Sequence, residues 1–253
     1  MSSIFSSNQE SHAHSLETLN ALYAYDDFME SVGSVADLGC GSEGLDVEWW
    51  ATRTTRDDVP IPLNIRCVAI DQVDTCRSAH RHKNITYEYQ NFEAPLKVKK
   101  GYDVLWCHDA FQYAINPVET LANWWHMAAD SGMLCIIVPQ TTNLDGSILA
   151  YDQRDYAYYN HTMVSLIHML AVSGWDCANG HFKKEPNSPW LHAVVYKSKH
   201  QPMDPRKTSW YDLSDKGLLP ESAVKSIFRH GYLRQQDLVL SWIDHSLTWM
   251  GQQ

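Results

Sequence analysis

The sequence predicts an α/β fold built on a mostly parallel sheet with helices on both faces. Short apolar runs of strand composition alternate with helical stretches, an order that lays crossover helices over both faces of a parallel sheet. The first run leads straight into a glycine turn and a helix. The last two runs are separated by a stretch holding Pro186 and Pro189 and read as an antiparallel hairpin. A chain of 253 residues suits one main domain, 1–199, with a helical C-terminal extension, 200–253.

In chain order, Leu16, Leu19, Leu22, Tyr23, Phe28 and Met29 recur at helical spacing and predict a helix over about 15–30, ended near Gly33. Val35 to Leu38 is a strand, Gly39 to Gly44 a turn and Leu45 to Thr52 a helix. Thr54 to Pro62, with two prolines and mixed charge, is a loop. Ile65 to Ile70 is a second strand ending at Asp71, followed by a polar helical stretch around Asp74 to His82 and a third, alternating strand over Ile85 to Tyr89. Tyr102 to Cys107 is the fourth strand, Pro117 to Ala129 a helix opened by proline, and Met133 to Val138 a fifth, very apolar strand. A longer helix is expected over Asp152 to Ser173, then the hairpin of Trp175 to Phe182 and Leu191 to Lys197. The tail should hold two helices, near 220–229 and 234–248, joined at Gly231. Its Leu238, Leu240, Trp242, Ile243 and Trp249 could dock on the domain or form a homodimer interface.

The formal charge of −10 opposes binding to a phosphate backbone, so nucleic acid is a disfavoured partner. The basic stretches Arg77 to Lys83 and Lys97 to Lys100 are short and read as solvated surface. None of the six cysteines forms a C-x-x-C pair, and no apolar run approaches bilayer length; a reducing, cytoplasmic setting without membrane contact is expected.

Gly39, Gly41 and Gly44 stand where a strand must reverse into a helix, a geometry that suits a nucleotide-like cofactor. G-x-G-x-x-G alone also satisfies the dinucleotide fingerprint, so a nicotinamide-dependent oxidoreductase stays open. Two acids weigh against it. Asp37 occupies a strand position that is usually apolar in dinucleotide sites and could accept from a cofactor ammonium group or order the turn. Asp71 ends a strand where a carboxylate can accept ribose hydroxyls; it lies 32 residues beyond Gly39, further than the dinucleotide spacing of about 20, an excess that the proline-containing loop explains under either reading.

The run Val35-Ala36-Asp37-Leu38-Gly39-Cys40-Gly41 resembles the first motif of class I S-adenosylmethionine (SAM)-dependent methyltransferases of the type-11-like group. Tyr102 to His108, Asn116-Pro117, Ser131 to Leu134 and Val138-Pro139 are similar, in order, to the family's segment from fourth to fifth strand, so the likeness spans residues 15 to 197. It implies a Rossmann-like, seven-stranded sheet ending in the antiparallel hairpin, SAM as cofactor and methyl transfer as activity. It further implies Asp37, Gly39, Cys40 and Gly41 around the methionine part, Asp71 and Gln72 at the ribose, Asn91 and Phe92 at the adenine, and Cys107 and His108 beside the sulfonium. Glu43 stands where the family carries its third glycine, Asn91 replaces an acid, and Gln112-Tyr113 replaces a common Glu-His pair. Asp152 to Tyr156 and the tail more faintly resemble methyltransferases of bacterial viruses.

A sulfonium is already activated, so the protein must align the acceptor and, for oxygen or nitrogen acceptors, remove a proton. His108 and Asp109 follow the fourth strand, where open α/β sheets bind ligands; His108 is the first choice of general base or acceptor-orienting group, with a histidine that only caps the following helix or contacts solvent as the alternative. His161, Ser165 and His168 would form one polar stripe of the 152–173 helix, either solvated or lining an acceptor cleft with Tyr151, Tyr156, Tyr158 and Tyr159. No metal is expected, because no histidine spacing matches a known ligand set. Trp49-Trp50 and Trp124-Trp125 read as structural pairs, one ring of each against the sheet. The acceptor is expected to be a small molecule, a saccharide or a protein site; a non-catalytic binding module of the same fold is the alternative outside enzymes.

Overall fold

Alternation along the strands divides the protein into two apolar layers. In the computed structural model, which describes residues 3–25, 29, 31–72, 82–95, 100–140, 159, 161–184 and 190–250 (side chains from 12 onward), Met133, Cys135 and Ile137 face one layer and Leu134, Ile136 and Val138 the other. The strands are β1 (Ser34–Leu38), β2 (Arg66–Asp71), β3 (Ile85–Tyr89), β4 (Tyr102–His108), β5 (Ala128–Pro139), β6 (Trp175–Lys184) and β7 (Trp190–Lys197). They form one seven-stranded sheet in the order β3-β2-β1-β4-β5-β7-β6. The first five pair in parallel; β7 runs antiparallel to both β5 and β6.

Helices α1 (Ser3–Tyr25) and α2 (Leu45–Ala51) cover one face, burying Leu19, Leu22, Val47 and Trp50 against Val35, Val104 and Trp106. Helices α3 (Pro117–Met127) and α4 (Met163–Val172) cover the other with Leu121, Trp124, Leu166 and Leu170. Trp50 and Trp124 are fully buried, and Trp49 and Trp125 keep a little exposure under Arg53 (4.0 Å) and Lys197 (4.3 Å), the division expected of adjacent rings. The loop after α2 is closed by an antiparallel bridge between Thr54 and Pro62.

Three expected helices differ. α1 starts well before residue 15 and is described to Tyr25; residues 26–28 and 30 lie outside the described residues. The helix expected from Asp152 begins only at Met163: Thr162 caps it, accepting from Ser165 N–H while Ser165 Oγ accepts from Thr162 N–H, and Tyr159 and His161 are not helical. Residues 152–158 and most of the 74–82 stretch lie outside the described residues. In the tail, α5 (Trp210–Asp215) and α6 (Glu221–His230) form, but the helix expected over 234–248 is a single 3-10 turn followed by a hairpin of β8 (Val239–Ser241) and β9 (Leu247–Met250). Leu238-x-Leu240-x-Trp242 alternates with period two, and the turn at Asp244-His245, where His245 has φ 62°, reverses the chain.

The tail extends both layers. Leu213, Leu219, Ile227, Leu240 and Trp249 join the α3/α4 layer, Trp242 and Ile243 the α1 layer. Cys177 N–H donates to Leu218 O (3.1 Å), and Thr248 Oγ1 to Phe182 O, which ties β6 to the tail. Among the described residues no helix is long and apolar enough to cross a membrane, and five cysteines are free thiols; Cys76 lies outside them.

Candidate functional site

The turn after β1 takes its shape from glycine. Gly39 (φ 84°) and Gly41 (φ 68°) occupy the left-handed region that side chains resist. A Cβ on Gly39 would stand 2.3 Å from the Ala110 Cβ, so the turn packs directly on the chain leaving β4. A Cβ on Gly41 would meet nothing within 4 Å, so space opens above the middle of the turn. Gly44 (φ 58°) precedes α2 as its N-cap, which accounts for a third glycine one position later than the family pattern.

The turn is tied to the adjacent strand. The Gly39 and Cys40 amides donate to Ile70 O (2.8 and 3.2 Å), and the Asp71 carboxylate accepts from Gly41 N–H at 2.8 Å. Asp71 therefore faces the bend, with Gln72 exposed beside it. Phe92 reaches the same place: its carbonyl accepts from Trp124 Nε1 (2.9 Å), and its Cδ1 lies 3.8 Å from the Cβ position of Gly39. Asn91 Oδ1 accepts from Glu93 N–H (2.9 Å) and shapes the turn that presents Phe92. Asp37 is buried in β1 between β2 and β4. Burial, with the Asp37 carboxylate adding to it, pushes the Cys67 thiol up to about 12 and the Cys107 thiol well above the usual range; these thiols stay protonated.

At the end of β4, His108 turns to the α1/α2 face and Cys107 to the buried opposite one. His108 Nδ1 lies 3.0 Å from Asp46 Oδ2, and its ring stands 5.6 Å from Trp190, which is itself 5.6 Å from His14. Asp46, on α2, also accepts from Trp106 Nε1 (2.9 Å), Ser15 Oγ (2.6 Å) and His12 Nδ1 (2.7 Å). Burial pushes its carboxyl up, but the His108 charge and the hydrogen bonds of His108, His12 and Ser15 outweigh this and hold it well below the usual carboxylate range.

Asp109 (φ 53°) turns the chain out of the sheet, its amide donating to Ile137 O (3.0 Å) and its carboxylate accepting from Gln112 Nε2 (2.6 Å). His161 pairs in a parallel bridge with Gln140 and stacks on Phe111 (5.2 Å, 19°). Burial pulls its pKa down to about 4, and its Nε2 has no hydrogen-bond partner. The proposed stripe does not exist: His161 precedes the helix, Ser165 serves the cap, and His168 packs edge-on against Trp210 (4.6 Å). Tyr159 donates its hydroxyl to Ile115 O (3.1 Å); Tyr151, Tyr156 and Tyr158 lie outside the described residues. Among the described residues no group of three or more His, Cys, Asp or Glu side chains could hold a metal ion.

The structure thus gathers Asp37, Gly39, Cys40, Gly41, Asp71 and Phe92 around the first turn and sets His108 beyond it. Asp46 and Glu93 were not singled out from sequence. Glu93 accepts from Ile115 N–H (2.8 Å) and so fastens the loop after β4 to the segment carrying Phe92. An acid flanked by Leu45 and Val47 was the available signal for Asp46.

No protein-family model matches the chain, and no curated protein matches its sequence. Solved structures share its fold. A candidate SAM-dependent methyltransferase from Listeria monocytogenes is similar at TM-score 0.54 and 16% identity, over 73% of this chain and 100% of that one. A SAM-dependent methyltransferase from Mesorhizobium loti is similar at 0.52 and 13%, over 65% and 90%. The plantazolicin methyltransferase BpumL, in complex with a triazolic desmethylPZN analog and SAH, is similar at 0.52 and 16%, over 72% and 84%. At such identities the likeness is one of fold: the chain has the Rossmann-like fold of SAM-dependent methyltransferases.

Proposed function

We propose that this chain is a SAM-dependent methyltransferase acting on a small-molecule, saccharide or protein acceptor, with residues 1–199 as its catalytic domain and the tail as a buttress to the sheet. One observation carries the reading: a carboxylate ending β2, Asp71, is turned onto the amide of an open glycine turn. The residues fit the cofactor. Asp37 would hold the ammonium and the turn the methionine backbone, Asp71 would accept from the ribose diol, and Phe92 would cover the adenine. Bound there, SAM supplies a methyl group already activated on sulfur. His108 would take a proton from an oxygen or nitrogen acceptor. His161, neutral at physiological pH, would donate or accept a hydrogen bond, and Asp109 would act by holding the turn beside His108. The antiparallel β7 between β5 and β6 speaks against a nicotinamide enzyme, whose usual strand order is 3-2-1-4-5-6.

Titration calorimetry with SAM, S-adenosylhomocysteine (SAH), NADH and NADPH tests this. Micromolar binding of SAM and SAH alone is expected; no heat with either at millimolar concentration, or binding of a nicotinamide instead, would remove the proposal. Binding with no transfer to a broad acceptor panel would convert the chain to a binding module.

A further inference from the structure

Asp46 is a carboxylate inside the protein with donors on both oxygens. Ser15 and His12 of α1 hold Oδ1, while Trp106 and His108 of β4 hold Oδ2. It is buried on the second residue of α2, the helix that opens directly behind the glycine turn. An ionised carboxylate only accepts, so each histidine facing it must carry its proton on Nδ1. For His108 this puts the lone pair of the neutral ring on Nε2.

We infer that Asp46 is the positioning residue of the methyl-transfer site: it fixes His108 in the Nδ1–H form, with Nε2 as the base, and α1 completes that arrangement. The inference rests on the function proposed above. A carboxylate bonded to His108 alone would be costly to bury; the donors from α1 and Trp106 make the charge tolerable and leave the ring one orientation, flanked by Trp190. In the transfer, the acceptor's proton bonds to Nε2, the electron pair left on the acceptor atom forms the new bond to carbon, and sulfur keeps the pair of the bond that breaks. The imidazolium so formed is neutralised by Asp46.

Nitrogen NMR of the histidine-labelled full chain, with the His108 signals identified by their loss in His108→Gln, reads the tautomer directly. The Nδ1–H form is expected with and without SAH; the Nε2–H form in the unaltered protein overturns the inference. Asp46→Ala should move His108 to the Nε2–H form and, once an acceptor is known, lower kcat by about 100-fold with KM for SAM within about twofold. An unchanged tautomer in that variant also overturns it. Ser15→Ala removes only one hydrogen bond to the other oxygen and should keep the tautomer, so that variant and the unaltered protein decide the matter if Asp46→Ala does not fold. Failure to bind SAH with the Nδ1–H form intact would overturn the methyl-transfer proposal and the role of Asp46 in it, leaving only the hydrogen bond.

Discussion

His161 should make the protein acid-sensitive in a window that titration of exposed groups would not produce. The residue is 1% exposed, and burial lowers its pKa from 6.5 to about 4. Below pH 6.5 the unfolded chain binds a proton at this histidine, while the folded chain does not until about pH 4, so acid favours unfolding throughout that interval. The contribution is fully present above pH 6.5 and lost as pH falls. With these values the loss is about 2 kcal/mol by pH 5 and approaches about 3 kcal/mol below pH 4. Urea unfolding of the natural protein and of His161→Leu, measured from pH 7.5 to 4.5, isolates the effect, since every other group titrates in both. Leucine also removes the unpartnered Nε2, so at pH 7.5 the variant should be at least as stable. Their free-energy difference should change by about 2.5 kcal/mol across the series. A constant difference would refute the account of His161 as a neutral, buried imidazole.

Other substitutions separate the fold from the cofactor site. Asp71→Ala should weaken SAH binding about 10- to 100-fold in calorimetry and lower stability by only about 1 kcal/mol, the cost of the lost Gly41 N–H bond. Gly39→Ala places a methyl 2.3 Å from Ala110 at a φ of 84° and should destabilise the protein by at least about 2 kcal/mol in denaturant. Gly41→Ala meets no neighbour, so it should cost the fold about 1 kcal/mol yet lower SAH affinity about tenfold or more, because its methyl enters the open space above the turn. Trp242→Ala, in the tail but packed on His192 (6.0 Å), should cost about 3–5 kcal/mol; a loss below 1 kcal/mol would show that the tail does not share the sheet's core.

Elements whose periodicity is local were legible in the sequence. The strands alternate along their own length, and the turn at Gly39 and Gly41 is required by the backbone whatever surrounds it. Boundaries failed where a local signal was outweighed by the pattern around it. Thr162 and Ser165 make a cap that starts α4, yet His161, Ser165 and His168 also fit helical spacing at i, i+4 and i+7. In the tail, Leu238, Leu240 and Trp242 alternate as a strand does, but Ile243 and Leu247 extend the same set at helical spacing. Packing on β6 decides for the hairpin.

The base end of the site was legible only in half. His108 follows from its place after β4, whereas its orientation depends on residues 12, 15, 46 and 106, which no short-range pattern links. What a sequence does carry is the anomaly. Asp46 lies in a seven-residue helix whose other inward positions include Val47, Trp50 and Ala51, with no lysine or arginine within that helix to neutralise it. A carboxylate in such company must either reach water or collect donors from elsewhere in the chain. The neighbouring apolar residues leave it little water, so the donors have to come from the helix packed above and the strand below, and the histidine ending that strand lies within their reach.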